Sequence, residues 1–253
     1  MKKSSRLPQH LVQLGILLAV LLAWYWATLP GGINHLLLPP PIPVFEGFWV
    51  LFTTDSIWPD LLVTVREWVS AVVIASVSGC VLGYIISRSN YAVRVFDPLL
   101  AGLYSIPAIL LFPLYLLFFG LGPGSKIAIG TTIAFFPIVL NTIAGLAYVD
   151  KAYVTAARSM GASDLQLFWS VMLPAAFPVV LTGLRIGCIV AFLSILGGET
   201  ISSLAGLGHR IVSLAENMES SRMFSNILFA VLMAIVINGI VSFAEARGRR
   251  GMQ

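Results

Sequence analysis

Charge is the scarcest property of this chain. Asp, Glu, Lys and Arg make up only 10% of its 253 residues, against about 25% in a soluble domain. Hydrophobic residues make up 58%, and the mean hydropathy is +0.93. A soluble fold of this size could not hide so much apolar surface, so the composition predicts an integral membrane protein. Cysteine is nearly absent. Cys80 and Cys188 both lie in apolar runs and form no C-x-x-C pair, which leaves apolar packing and gives no support for a disulfide or a metal site. The three histidines, His10, His35 and His209, form no ligand cluster. A net charge of +4 is too modest to point to nucleic acid. No H-E-x-x-H, G-x-S-x-G or paired intramembrane aspartates occur, which argues against a membrane-embedded enzyme. A Walker motif is missing too. GLGPGSK at 120–126 fails the P-loop pattern because Ser125 replaces the second glycine and Ile127 the hydroxyl residue. Any ATP hydrolysis must therefore come from another polypeptide.

Long apolar runs are what the chain does have. A hydrocarbon core about 30 Å thick takes about 20 helical residues to cross. Six segments qualify, at roughly 10–28, 60–87, 98–119, 125–147, 174–199 and 223–246. Lipid offers backbone groups no partner, so the spans must be helical. They lack the period-two alternation of barrel strands. The expected fold is thus all-α, with about six transmembrane helices in one domain over 1–253. Lys2, Lys3 and Arg6 precede the first run, which ends in Trp24, Tyr25 and Trp26 with no small-residue cleavage site. That pattern predicts a retained span with an aromatic belt rather than a cleaved signal.

The connections sort by charge. Lys2, Lys3, Arg6, Arg88, Arg94, Lys151, Arg158, Arg247, Arg249 and Arg250 fall on one side, and only Lys126, Arg210 and Arg222 on the other. The positive-inside rule places both termini and the 148–173 connection in the cytoplasm. Residues 29–59, rich in proline and aromatics and free of Lys and Arg, form an outer loop, and so do residues 200–222. Residues 88–97 and 120–125 read as short connections.

The 148–173 segment is the polar exception in an apolar chain. Asp150 is placed to cap a helix opening at Lys151. Ala152, Ala156 and Ala157 give that helix a small surface, and Gly161 stands where a left-handed C′ residue would end it. Ser163 and Gln166 fit a capping box that opens a second helix. Leu165, Phe168, Trp169 and Met172 then form an apolar stripe that could anchor this helix to the bundle, and Pro174 begins the fifth span. Two readings stand on spacing alone: an interfacial linker, or a surface that docks another protein.

These same residues resemble the E-A-A-x-x-x-G-x9-I-x-L-P signature of permeases from binding-protein-dependent ABC importers. Ala156, Ala157, Gly161, Val171, Leu173 and Pro174 stand at its spacing, with Thr155 in place of the leading Glu. Further segments are similar to the nitrate/sulfonate/taurine-type branch: Phe96-Asp97-Pro98, Ser105-Ile106-Pro107, Phe119-Gly120-Leu121-Gly122, Phe135-Phe136-Pro137-Ile138, Asn141-Thr142, Thr182-Gly183-Leu184-Arg185 and Gly206-Leu207-Gly208. The resemblance implies a type I importer bundle, pairing as a homodimer in a bacterial inner membrane. It implies two copies of a separate ATPase, which carry the ATP and Mg, this chain holding no cofactor or metal. The coupling surface would comprise Thr155, Ala156, Ala157, Arg158, Gly161 and Ala162. A periplasmic or surface-tethered solute-binding protein would deliver a small solute, such as a sulfonate, taurine or nitrate.

Charges within spans usually face a cavity or a partner charge. Arg66 and Glu67 sit near the start of the second span, where they can snorkel. Arg185 lies about halfway along the fifth, and Glu199 at its outer end. Both are pathway candidates, and for Arg185 the competing reading is a structural ion pair. Pro107 and Pro113 interrupt the third span and Pro137 the fourth, so Pro107 and Pro137 are candidates for kinks that line a pathway. GLGHRI at 206–211 is either a gating loop or a plain turn. A stand-alone secondary transporter or channel is the competing function, and it would show inverted repeats and broken spans.

Overall fold

The computed structural model describes residues 9–53 and 56–250, with side chains described for 11–53 and 56–247. Lys2, Lys3, Arg6 and the side chains of Arg249 and Arg250 lie outside the described residues. Helices dominate what is described: α1 (Gln9–Ala27), α2 (Pro41–Thr53), α3 (Trp58–Ser87), α4 (Asn90–Tyr104), α5 (Phe112–Phe119), α6 (Pro123–Ala147), α7 (Lys151–Ser159), α8 (Asp164–Leu167), α9 (Leu173–Ile201), α10 (Leu207–Glu216) and α11 (Ser220–Arg250). A 3₁₀ turn at Ala108–Leu111 precedes α5, and a π-helical turn at Phe168–Met172 joins α8 to α9.

Among the described residues, four helical stretches are each long and apolar enough to cross a membrane: Trp58–Ser87, Pro123–Ala147, Asp164–Ile201 and Ser220–Arg247. The expected interruption of the third span by Pro107 is present. The third span is broken, because Asn90–Tyr104 and Ala108–Phe119 meet at an angle of 77°. Pro107 causes the break: it is extended, with ψ 95°, and it lacks the N–H that would continue the helix. The helix before it also starts earlier than expected, so residues 90–97 are helical rather than a connection. Ser89 caps α4 by accepting the Ala92 amide at 3.4 Å. The expected first span, at roughly 10–28, coincides with α1. Its apolar stretch Leu11–Ala27 is shorter than the others, and the whole of α1 reaches about 28 Å at 1.5 Å per residue.

The chain divides into two compact units. The larger comprises residues 59–209 and 231–253. At its centre α6 and α9 pack along their lengths. α6 is the most enclosed span, 44% buried against 28% for α3 and α9 and 17% for α11. Small residues permit the close approach. A Cβ on Gly83 would meet Thr142 Cβ at 2.6 Å, and one on Gly187 would meet Ile138 Cδ1 at 2.7 Å. In lipid, such backbone contact replaces the hydrophobic drive that water supplies. α3 carries two stripes at a spacing of four. Ala71, Ala75, Gly79 and Gly83 are buried, while Val69, Val73, Val77, Val81 and Ile85 face outward. Pro137 lies buried inside α6, which runs unbroken from Pro123 to Ala147, so the expected interruption there does not occur.

The smaller unit comprises residues 1–58 and 210–230. Here the expected outer loop 29–59 contains a helix, α2, which opens on Pro41 and Pro43. Proline is tolerated in a first turn because its missing N–H has no partner there. Phe48, Phe52, Trp58 and Phe229 form an aromatic cluster, with Phe52 edge-on to Trp58 and to Phe229. Ser225 Oγ donates to Val44 O at 2.7 Å, close beside Gly47. The 200–222 connection is likewise more regular than expected, since α10 occupies ten of its residues.

Candidate functional site

The polar segment folds as its spacing predicts. Asp150 Oδ1 accepts the Ala152 amide at 2.8 Å and opens α7. Gly161 adopts φ +82°; its amide donates to Arg158 O at 3.0 Å and the Ala162 amide donates to Ala157 O at 3.1 Å. That pair of bonds is a Schellman closure, which only a residue at positive φ completes at low cost. The Ser163 capping box is present in both directions, with Ser163 N–H on Gln166 Oε1 at 2.9 Å and Gln166 N–H on Ser163 Oγ at 3.4 Å. Arg158 and Asp164 form an exposed ion pair at 3.5 Å across the turn.

No residue of α7 is buried. Thr155, Ala156, Arg158 and Gly161 are exposed, and Ala157 and Ala162 are half-buried. A helix this short is marginal in water by itself, and most helical stability comes from packing. The caps at both ends hold α7 in shape while its surface stays open. Tyr153, Ala156, Met160, Val171 and Pro174 line a groove of about 460 Å³ between α7 and the start of α9. The anchor differs from the expected stripe. Leu167 is the buried residue, and Phe168 packs on Tyr84 with ring centroids 4.8 Å apart. Leu165 and Trp169 are 70% and 61% exposed, and the π-turn at Phe168–Met172 shifts the register of the helix after Leu167.

A second constellation lies where α10 begins, in the larger unit. Asp60, Thr64 and Glu67 share one face of α3. Thr64, Glu67, Lys126 and Glu199 are each 2% exposed or less. Three consecutive amides are held by side chains: Gly206 N–H by Asp60 Oδ1 at 3.0 Å, Leu207 N–H by Thr64 Oγ1 at 2.9 Å, and Gly208 N–H by Glu199 Oε2 at 2.8 Å. Thr64 in turn donates to Glu199 Oε1 at 2.7 Å. The first amides of a helix have no partner within the helix and carry a partial positive charge, which suits carboxylates. GLGHRI is therefore neither an open loop nor a plain turn. It is the latched start of a helix.

Lys126, counted among the outer-side charges at the start of the 125–147 span, lies in the first turn of α6, where it is fully buried, with Nζ bonded to Leu121 O and to Gly122 O (3.2 Å for the latter). Glu67 was expected to snorkel but is buried, while its neighbour Arg66 is exposed. Asp60 and Thr64 were not singled out at all. The spacing of Asp60, Thr64 and Glu67, at i, i+4 and i+7 in an apolar helix, is the signal that could have found them.

Arg185 is committed within the larger unit. Its Nη1 pairs with Glu245 Oε2 at 3.2 Å, and Nε and Nη2 both reach Asn238 Oδ1, at 3.3 and 3.1 Å. Thr182 Oγ1 donates to Glu245 Oε1 at 3.1 Å. Of the two readings of Arg185, the geometry is that of a structural ion pair. Asn238 and Glu245, seven residues apart on α11, carried the matching signal. Pro107 stands at the break in the third span, away from any of these polar clusters in the bonds it makes, and Asn141 Nδ2 donates to Pro137 O at 2.8 Å.

Residues 71–250 match the family model described as the inner membrane component of binding-protein-dependent transport systems. The chain is 29% identical to the taurine transport system permease protein of Escherichia coli over 97% of its own length and 88% of the relative's. It is 30% identical to a probable ABC transporter permease protein of Haemophilus influenzae, over 92% and 93% of the two chains. Its fold is similar to that of a chain in an inward-facing methionine ABC transporter, with a TM-score of 0.60 at 16% identity, covering 84% of this chain and 97% of that one.

Proposed function

Since the chain belongs to the family of binding-protein-dependent transport system inner membrane components, an ABC transporter permease of the inner membrane, we propose that it carries a small sulfonate such as taurine. The taurine permease of E. coli, similar along almost the whole chain, supports that substrate class. The family implies an ATPase and a solute-binding protein as partners. We further propose two ATPase copies, a second copy of this permease, and cytoplasmic termini, as the distribution of Lys and Arg suggests. ATP and Mg would be held by the ATPase.

α7 carries this reading. It is capped at both ends, packs on almost nothing and presents small residues, which is what a helix needs if another protein's backbone is to approach it closely. Thr155, Ala156, Ala157, Arg158, Gly161 and Ala162 are the proposed docking surface. Among the pathway candidates, Pro107 is the one carried forward, because a broken span exposes backbone groups that only a cavity or a partner can satisfy. Glu199 and Arg185 are engaged by the chain's own side chains and are better read as structural.

The test is copurification with the ATPase, followed by uptake of labelled taurine into proteoliposomes holding the whole complex and its binding protein. ATP-dependent uptake that stops when the ATPase nucleotide site is disabled supports the reading. Uptake by this chain alone would replace it with a stand-alone transporter.

A further inference from the structure

Several helix ends in the larger unit border one pocket. The end of α3, the start of α4, the end of α6 and the α7–α8 turn surround an open space of about 670 Å³. Three cations line it, Arg88, Lys151 and Arg158, and each is exposed. The Arg88 guanidinium lies over the Tyr84 ring, 6.0 Å from its centroid, and Tyr84 packs on Phe168; both rings belong to the wall. Against these cations the wall sets one carboxylate, Asp164, which meets Arg158 Nη2 at 3.5 Å. That pair is solvent-exposed, so it is weak. Among the described residues Arg88 and Lys151 have no ion pair. The wall therefore carries an excess of positive charge that a solute can reach.

α7 turns different faces to this pocket and to the proposed ATPase groove. Lys151, Val154 and Arg158 line the pocket, at the i, i+3 and i+7 spacing of one helix face. Tyr153, Ala156 and Met160 line the groove from the other side of the helix. The basic face is thus separate from the surface offered to the ATPase. Its level is that of the membrane surface, since α3 and α6 are spanning helices and the pocket lies at their ends. Tyr91, Tyr148 and Trp169, each next in sequence to a lining residue, are exposed. Tyrosine and tryptophan of this kind collect at the level of lipid headgroups.

We propose that this pocket binds a phosphate group at the membrane surface, contacted by Arg88 and Lys151 with Arg158 at its edge. Guanidinium groups donate in a fork to phosphate oxygens, and an ammonium serves as a point charge beside them. Basic pockets between span ends take anionic headgroups in this way. One water takes roughly 30 Å³ in the liquid, so the space admits a phosphodiester with its glycerol. A phosphate held by Arg88, just after α3, and by Lys151, on α7, braces the docking helix against the bundle. That brace matters because α7 buries no residue of its own. An anionic phospholipid and a soluble phosphate offer the same chemistry to these side chains.

The test reconstitutes the full chain with its ATPase in an equal mixture of phosphatidylcholine and phosphatidylglycerol. Lipid retained after extraction into mild detergent is counted by native mass spectrometry. Inorganic phosphate is titrated separately onto the complex in pure phosphatidylcholine nanodiscs. Wild type should retain phosphatidylglycerol over phosphatidylcholine by about tenfold or more, the scale of one or two basic groups at a headgroup. Arg88→Gln combined with Lys151→Gln should remove that preference, and Arg94→Gln, exposed and outside the pocket, should keep it. Phosphate binding that needs Arg88 and Lys151, without a lipid preference, keeps the site and assigns it to a soluble phosphate. Wild type that prefers neither lipid and binds no phosphate overturns the proposal, and this is the outcome if the ATPase fills the pocket. A preference that survives the double variant overturns it too, as does an equal loss in Arg94→Gln, which would mark general surface charge. If the double variant fails to assemble, the wild-type comparison and Arg88→Gln alone decide. No transport is measured, so the result stands apart from the sulfonate reading.

Discussion

The carboxylate of Glu199 holds the first turn of α10 by accepting the Gly208 amide at 2.8 Å. The two residues are pressed together as well as bonded: a Cβ on Gly208 would lie 2.6 Å from Glu199 Cβ and 2.5 Å from the carbonyl oxygen of Leu196. Glycine is required there by a backbone atom that cannot move aside. The same contact fixes where the chain turns after α9, so a buried acid and a glycine together set the start of the next helix.

Gly208→Ala should therefore destabilise the protein sharply, by about 1–3 kcal/mol or more, the range for overpacking a tight site. Thr64→Val, which removes a donor to Glu199 and an acceptor for Leu207, should cost about 1–3 kcal/mol. Thermal unfolding of the detergent-solubilised chain checks both. A melting temperature unchanged in either variant would show that the latch does not hold α10.

Gly161→Val should leave the protein inserted but uncouple it. The glycine has φ +82° and open space where a Cβ would sit, so the strain is purely backbone. A left-handed conformation costs an ordinary residue roughly 1–2 kcal/mol, and a β-branched one has further χ1 restriction. ATP-driven uptake should fall several-fold with normal expression, and Gly161→Asn should retain more activity than Gly161→Val. Equal uptake by the two variants would count against a requirement for positive φ.

Thr155→Glu should be tolerated. Thr155 is exposed on α7 and no hydrogen bond of its side chain holds the turn in place. Copurification of the ATPase and substrate-stimulated ATP hydrolysis should stay at or above the wild-type level. A loss of ATPase binding would show that this chain's docking surface is built around the threonine.

Arg185→Ala should weaken the fold without changing which sulfonates are carried. The guanidinium is shared between Glu245 and Asn238, and removing it takes the paired cation from the Glu245 carboxylate, whose side chain is 9% exposed. A double-mutant cycle of Arg185→Ala with Glu245→Gln should give a coupling of about 0.5–3 kcal/mol in thermal stability. The arginine side chain, 36% exposed, places the expectation at the lower end of that range. A change in the order of preference among sulfonates would return Arg185 to the pathway.

The polar element was readable because everything that shapes it is local. Asp150 to Ala152, Gly161 to Arg158, Ala162 to Ala157 and Ser163 to Gln166 are bonds spanning five residues or fewer. The buried cluster was not readable because the bonds that bring α3 into it join residues 135 to 146 positions apart, as between Thr64 and Glu199 or Asp60 and Gly206. A lysine in a glycine-rich turn looks the same in sequence whether it faces water or a bundle. Lys126 became a buried residue only because α6 starts at Pro123, within reach of the carbonyls just ahead of it.

By itself the sequence determined that this is a helical membrane protein, where most of its spans lie, and how α7 is capped and turned. Those features depend on run length, on hydropathy and on hydrogen bonds between near neighbours. Tertiary structure alone decided that the break at Pro107 bends the third span by 77° while α6 runs unbroken through Pro137, that Arg185 is paired with Glu245, and that Glu67 is buried. Each depends on which distant helix packs against the residue, because in lipid a polar group or a prolyl gap is settled by its neighbours across the bundle and not by water.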